Sequence, residues 1–184
     1  MHYAGVVQRL VYKFSKLGIG VRFSAPAPKM NHWRRQNFSG VSCYYGLMYD
    51  DKYFLRIATD EANIDPSSPS FGAVVVKDGI IIAQDHNRTR ELHDPSAHAE
   101  VTAMRKAGQK LQNYNLDGCV LYGSHEPCIM CFSCAAWANI SRVVYAIPAS
   151  DQSQDSYEFE NLSLNEISSK LSHRKIVPEL LRLD

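Results

Sequence analysis

His98 and Glu100 stand two residues apart in "HDPSAHAEVTAM" (93–104), and Cys128 and Cys131 stand three apart in "SHEPCIMC" (124–131). One imidazole and two thiolates are ligands that zinc prefers, and three protein ligands leave one tetrahedral position for water. Structural zinc sites close with four protein ligands, so a set of three points to catalysis. The metal acidifies such a water to a pKa of about 7 in favourable cases. Hydrolytic attack then needs a group that takes a proton and passes it to the leaving group. Glu100, on the same helix start as His98, can sit beside the water without being a ligand. Cys128-x-x-Cys131 at a helix start brings both sulfurs to one side, where unpaired backbone N–H groups favour thiolates. Either half alone carries little: His98 would read as an ordinary helix histidine, and the two cysteines as a structural zinc knuckle or redox pair. An iron–sulfur segment is a poor fit, because "AAWAN" follows Cys134 where a fourth cysteine and a proline belong.

The spacing of apolar residues predicts the elements that must hold these groups. Tyr53, Phe54, Ile57, Ala58 and Ala62 follow helical spacing from Asp50 to about Asn63. "NIDPSSPS" (63–70) reads as a loop. "FGAVVV" and "IIIAQ" flank Lys77-Asp78-Gly79 and read as a β-hairpin. A helix is expected over 97–109 with Ser96 as its cap, a strand over 118–124, a helix from near Pro127, and a strand over 141–148. A helix near 162–171 and a short apolar tail, "KIVPELLRL", complete the order. Strand–helix–strand crossovers imply parallel pairing, hence an α/β fold with a mixed sheet and helices on both faces.

The 184 residues suffice for one domain with a substantial core, and 45% hydrophobic with 21% charged residues is an ordinary globular composition. No apolar run approaches the roughly 20 residues that span a membrane. Of the 20 Lys and Arg, seven lie in residues 1–47 with no Asp or Glu, which leaves 13 against 19 acidic residues in 48–184. The division predicts a basic N-terminal extension, 1–47, and a separate domain, 48–184. The extension reads as a transit peptide, an appendage to an anionic surface, or the product of a start placed too early, since Met48 opens a sensible first helix. Five cysteines, three of them clustered, suit a reducing, cytoplasmic setting, with organelle targeting by 1–47 as the alternative. Cys43, Cys119 and Cys134 read as small packed hydrophobes.

"FGAVVVKDG", Asn87, "DPSAHAEVTAMRKA", "EPCIMC" and "SRVVYA" together resemble the cytidine/guanine/adenosine deaminase superfamily of zinc hydrolases. His-x-Glu followed by Pro-Cys-x-x-Cys is the signature of zinc deaminases. The resemblance implies a three-layer α/β/α sandwich with a five-stranded mixed sheet, assembly as a homodimer or larger, zinc on His98, Cys128 and Cys131, and proton transfer by Glu100. Phe71-Gly72-Ala73 and "HAEVTAM" are most similar to the guanine deaminase branch. That likeness assigns substrate contacts to Asn87, Phe71, Trp137 and the backbone N–H of Ala99. Ser70 and Cys134 depart from the branch, and "DQSQDSYEFEN" (151–161) lacks its Phe-Asp-Asp segment, which leaves Asp155, Glu158 and Glu160 as substitute carboxylates. His125 is expected to be a partly exposed loop residue, with contact to the pocket as the alternative. The expected activity is hydrolytic deamination of a free nucleobase or nucleoside, guanine or guanosine first, with release of ammonia. The alternatives are a transfer-RNA adenosine deaminase, a cytosine or cytidine deaminase, and a non-catalytic subunit with this fold. The acidic balance of 48–184 disfavours nucleic acid as the partner, because a polyanion is collected chiefly by Lys and Arg.

Overall fold

The computed structural model describes residues 41–44, 47–64, 71–152, 159 and 162–183. The chain divides into units 1–36 and 37–184. The first unit lies outside the described residues, as do the substitute carboxylates Asp155, Glu158 and Glu160, position 70, and the side chain of Cys43.

Two short strands, β1 (Val41–Tyr44) and β2 (Leu47–Asp50), pair antiparallel and lead into helix α1 (Asp51–Ala62). The Asp50 side chain caps α1 by accepting from the Tyr53 N–H at 2.9 Å. Strands β3 (Gly72–Lys77) and β4 (Ile80–His86) form the expected hairpin. Asp78 and Gly79 take φ of 51° and 76°, the double left-handed turn for which Asp-Gly is suited. A short helix, α2 (Thr89–Leu92), and a long one, α3 (Ala99–Leu111), follow. Strand β5 (Cys119–His125), helix α4 (Ile129–Trp137) and strand β6 (Arg142–Ile147) form a parallel crossover unit. Helix α5 (Leu164–Ser169) then leads to β7 (Val177–Leu180).

The sheet order is β4-β3-β5-β6-β7, five strands with antiparallel and parallel pairing. Alternation along the central strands divides the core. Val74, Val76, Tyr122 and Val144 face α1 through Phe54, Leu55 and Ala58. Ala73, Val75, Leu121 and Val143 face α3 and α4 through Ala103, Met104 and Phe132. The fold is therefore the three-layer arrangement that the resemblance implies. No helix of the described residues is long and apolar enough to cross a membrane.

Several boundaries differ from the sequence expectations. Met48 does not open the first helix: it lies in β2, and the helix starts at Asp51, after the Asp50 cap. Ser96 does not cap α3: its backbone N–H and hydroxyl both donate to Asp94 Oδ1, at 2.8 and 2.6 Å, and the helix begins two residues later with His98 at the cap position. The apolar tail contains an edge strand, β7, in which Pro178 is tolerated because an edge position asks for fewer ladder bonds.

α1 lies very close to β3. A Cβ on Gly72 would stand 2.1 Å from the Ala58 carbonyl oxygen and 2.5 Å from the Ala62 nitrogen. Gly72→Ala is expected to destabilise the domain by about 3 kcal/mol, because backbone cannot yield as a flexible side chain can. Urea unfolding measures this, and a loss near zero would show that α1 shifts without cost.

Candidate active site

α3 and α4 begin at the same end of the sheet, and each takes a prospective ligand as its cap. His98 caps α3 with φ −65° and ψ 156°, and Cys128 caps α4 with φ −66° and ψ 168°. Their carbonyls accept the first helical bonds, from Thr102 N–H and Phe132 N–H, both at 2.9 Å. Neither side chain makes a capping bond, so both remain available as ligands. Cys131 and Glu100 sit in the first turns of the two helices. The Thr102 hydroxyl bonds back to the Ala99 and His98 carbonyls at 2.9 and 3.0 Å, securing the start of α3.

The three donor atoms form a nearly equilateral triangle: 3.6 Å from His98 Nδ1 to Cys128 Sγ, 3.6 Å to Cys131 Sγ, and 3.6 Å between the sulfurs. Ligands at about 2.3 Å (sulfur) and 2.0–2.1 Å (nitrogen) around a tetrahedral zinc are separated by about 3.6–3.8 Å, so the residues present fit the ion. This is the one cluster of three His, Cys, Asp or Glu donors among the described residues that could hold a metal. Glu100 is 6% exposed and its Oε2 lies 3.4 Å from Cys131 Sγ, inside the same cluster.

The charges in this cluster are coupled. The hydrogen bond from the Cys131 thiol, assisted by His98, holds Cys128 down to about 4, while that same bond and burial push Cys131 well above the usual thiol range. The Cys128 thiolate raises His98, and burial raises Glu100. In the metal-free cluster the Cys131 thiol therefore holds its proton at neutral pH, and the Cys128 thiolate favours the charged form of His98. Zinc must displace the thiol proton and any on the imidazole, so uptake is expected to release protons and to tighten as pH rises. Calorimetry of the metal-stripped protein in buffers of different ionisation heat measures the release, and an absence of buffer dependence would contradict this proton placement.

Phe71, Asn87 and Ala99 are also at this end of the sheet. The Asn87 N–H donates to the Phe71 carbonyl at 2.9 Å, which joins the two residues across the mouth of the hairpin, and Asn87 is 5% exposed. Ala99 is fully buried at the first position of α3. Trp137 is not brought to the cluster within the chain. It ends α4, more than a turn beyond Cys131, is 72% exposed, and carries the Arg174 guanidinium 4.8 Å above its ring. Cys119 and Cys134 pack with the core as expected.

Sequence reasoning passed over Ser124 and assigned His125 to a loop. His125 is the last residue of β5, half-buried, with its ring edge-on to Phe71 at 4.8 Å and Nδ1 2.9 Å from Ser124 Oγ. Its position in the sequence three residues before Cys128 was the available signal. Three basic side chains of this part of the chain face carboxylates: Lys106 pairs with buried Asp85 at 2.8 Å, Arg88 with Glu91, and Arg105 lies 3.9 Å from Asp94.

A His-Cys-Cys centre beside a buried carboxylate, at the end of a mixed sheet, defines a zinc hydrolase. The chain belongs to the cytidine and deoxycytidylate deaminase family, whose zinc-binding region matches residues 48–147. It is thus an enzyme of the class that hydrolyses C–N bonds of cyclic amidines, with zinc as cofactor. It is 41% identical over 125 residues to guanine deaminase of Bacillus subtilis, covering 68% of this chain and 79% of that one. It is 40% identical over 97 residues to the tRNA-specific adenosine deaminase of Aquifex aeolicus, covering 52% of this chain and 64% of that one. The solved structure of the Bacillus subtilis guanine deaminase superposes with a TM-score of 0.53 at 35% identity, over 69% of this chain and 98% of that one.

Proposed function

We propose that this deaminase acts on a free nucleobase, guanine first, converting its amidine C–NH2 to a carbonyl with uptake of water and release of ammonia. The observation that carries the reading is the 3.6 Å donor triangle with Glu100 buried against it. Bound zinc supplies an acidified water as the nucleophile at neutral pH. With zinc bound, Glu100 would pass one proton of the water to the ring nitrogen beside the attacked carbon and the other to the amine, which leaves as ammonia while the carbonyl forms. Burial raises the proton affinity of Glu100, which suits the uptake of a proton from the water. The Asn87 amide both donates and accepts, so it can hold a base edge, and Phe71 offers an apolar wall. The Ala99 N–H, at the helix start and outside the helical ladder, is a further donor for the ring.

Guanine is favoured over an RNA-borne adenosine on two grounds. The similarity to the guanine deaminase spans more of both chains than that to the transfer-RNA enzyme. Residues 48–184 also hold 13 basic against 19 acidic side chains, and three of the basic ones, Arg88, Arg105 and Lys106, are engaged by Glu91, Asp94 and Asp85, a balance that disfavours gathering phosphates. The 40% identity to the Aquifex enzyme keeps the transfer-RNA activity as the second reading. We extend the proposal to a homodimer that covers Trp137 and Met130, both exposed on α4.

Zinc-loaded full-length protein, incubated with guanine, guanosine, cytosine, adenine and an anticodon stem-loop while ammonia is measured, tests the substrate. Guanine is expected to give the highest kcat/KM. A higher value for the stem-loop would replace the first reading with the second.

A further inference from the structure

Ser124 is 1% exposed, and its oxygen accepts the Gly72 N–H at 3.0 Å. A buried hydroxyl must also place its own hydrogen. Among the described residues the one acceptor within reach is His125 Nδ1, at 2.9 Å. The hydroxyl therefore donates to Nδ1, and in the neutral imidazole that leaves the proton on Nε2. Burial lowers the proton affinity of His125, consistent with the neutral form. The ring plane is fixed by Phe71 and the strand end, and Nε2 has no partner among the described residues.

His125 lies at the sheet end that carries Phe71 and Asn87, with Cys128 three residues further on. We infer that the Ser124–His125 pair is a specificity element of the site, presenting a fixed Nε2–H donor beside Phe71 to an acceptor of the base, a carbonyl oxygen or an unprotonated ring nitrogen. The inference rests on the nucleobase reading above. The pair contributes nothing to proton transfer. It selects bases that carry an acceptor at that edge and holds them in register with Glu100.

The test compares His125→Leu, His125→Gln and His125→Asn in the zinc-loaded enzyme. A glutamine amide places its nitrogen where Nε2 stands, whereas an asparagine amide reaches only as far as Nδ1. With the best substrate of the five-compound panel, His125→Leu and His125→Asn are expected to raise KM about tenfold, the effect of one lost hydrogen bond, with kcat little changed. His125→Gln is expected to restore KM to within about threefold. Long-range 1H–15N spectra of the substrate-free enzyme should show the proton on Nε2 in the wild type and a mixture of tautomers in Ser124→Ala. A purely structural role would instead lower thermal stability in all three variants and leave no distinction between glutamine and asparagine. Wild-type KM in His125→Leu, or a protonated Nδ1 with a bare Nε2, would overturn the inference. If the wild type deaminates another compound but not guanine, the guanine reading fails alone and the variants are compared on that compound. Ammonia from none of the five would overturn both.

Discussion

Glu100→Gln is expected to keep one zinc per chain and to lose about 10²–10⁴-fold in kcat. Glutamine has the size of glutamate and still offers an oxygen to Cys131, so the packing of a side chain that is almost fully buried changes little. What disappears is the capacity to bind and return a proton. Metal analysis by mass spectrometry, paired with ammonia release, separates the two effects. Full zinc with full turnover would remove Glu100 from the mechanism. Loss of zinc together with turnover would recast it as a support for Cys131.

The second large effect is expected from the ligands. His98→Ala and Cys128→Ala each remove one corner of a triangle whose 3.6 Å edges match tetrahedral zinc. Both should purify with less than about a tenth of a zinc per chain and with no measurable deamination, since three ligands are already the minimum of a catalytic site. Cys134→Ala is the control. Cys134 lies one turn past Cys131 and packs against the core rather than the triangle, so that variant should keep its zinc. A zinc-replete Cys128→Ala protein would show that another side chain completes the site.

The parts of this architecture that are legible in the sequence are those with local causes. The Asp78-Gly79 hairpin is set by two left-handed residues, and α1 by a period of apolar side chains. The zinc triad is legible because ligand chemistry limits the residue types and helix geometry limits their spacing. The rest depends on partners distant in sequence. Nothing near Val177 announces β7, whose pairing is decided by an open edge 35 residues earlier, at Arg142. The role of Ser124 requires the Gly72 amide, 52 residues away. Ser96 fails as a cap because Asp94 binds it first, a competition that composition cannot reveal. Trp137 matched its family position by count, yet the count says nothing about where α4 ends relative to solvent.

Arg142 joins three distant parts of the chain. Its guanidinium binds Asp51 twice, at 3.0 and 2.6 Å, and Glu179 at 2.9 and 2.8 Å, while the Tyr122 hydroxyl donates to Asp51 at 2.6 Å. During synthesis on the ribosome the Asp51 half of this clasp can close well before Glu179 emerges. Until then β6 is a naked border of the nascent sheet, offering its backbone to any passing strand. Arrival of Val177–Leu180 both supplies the missing ladder and docks a carboxylate on the waiting cation, and it hands the border of the sheet to a four-residue strand in which Pro178 offers no donor.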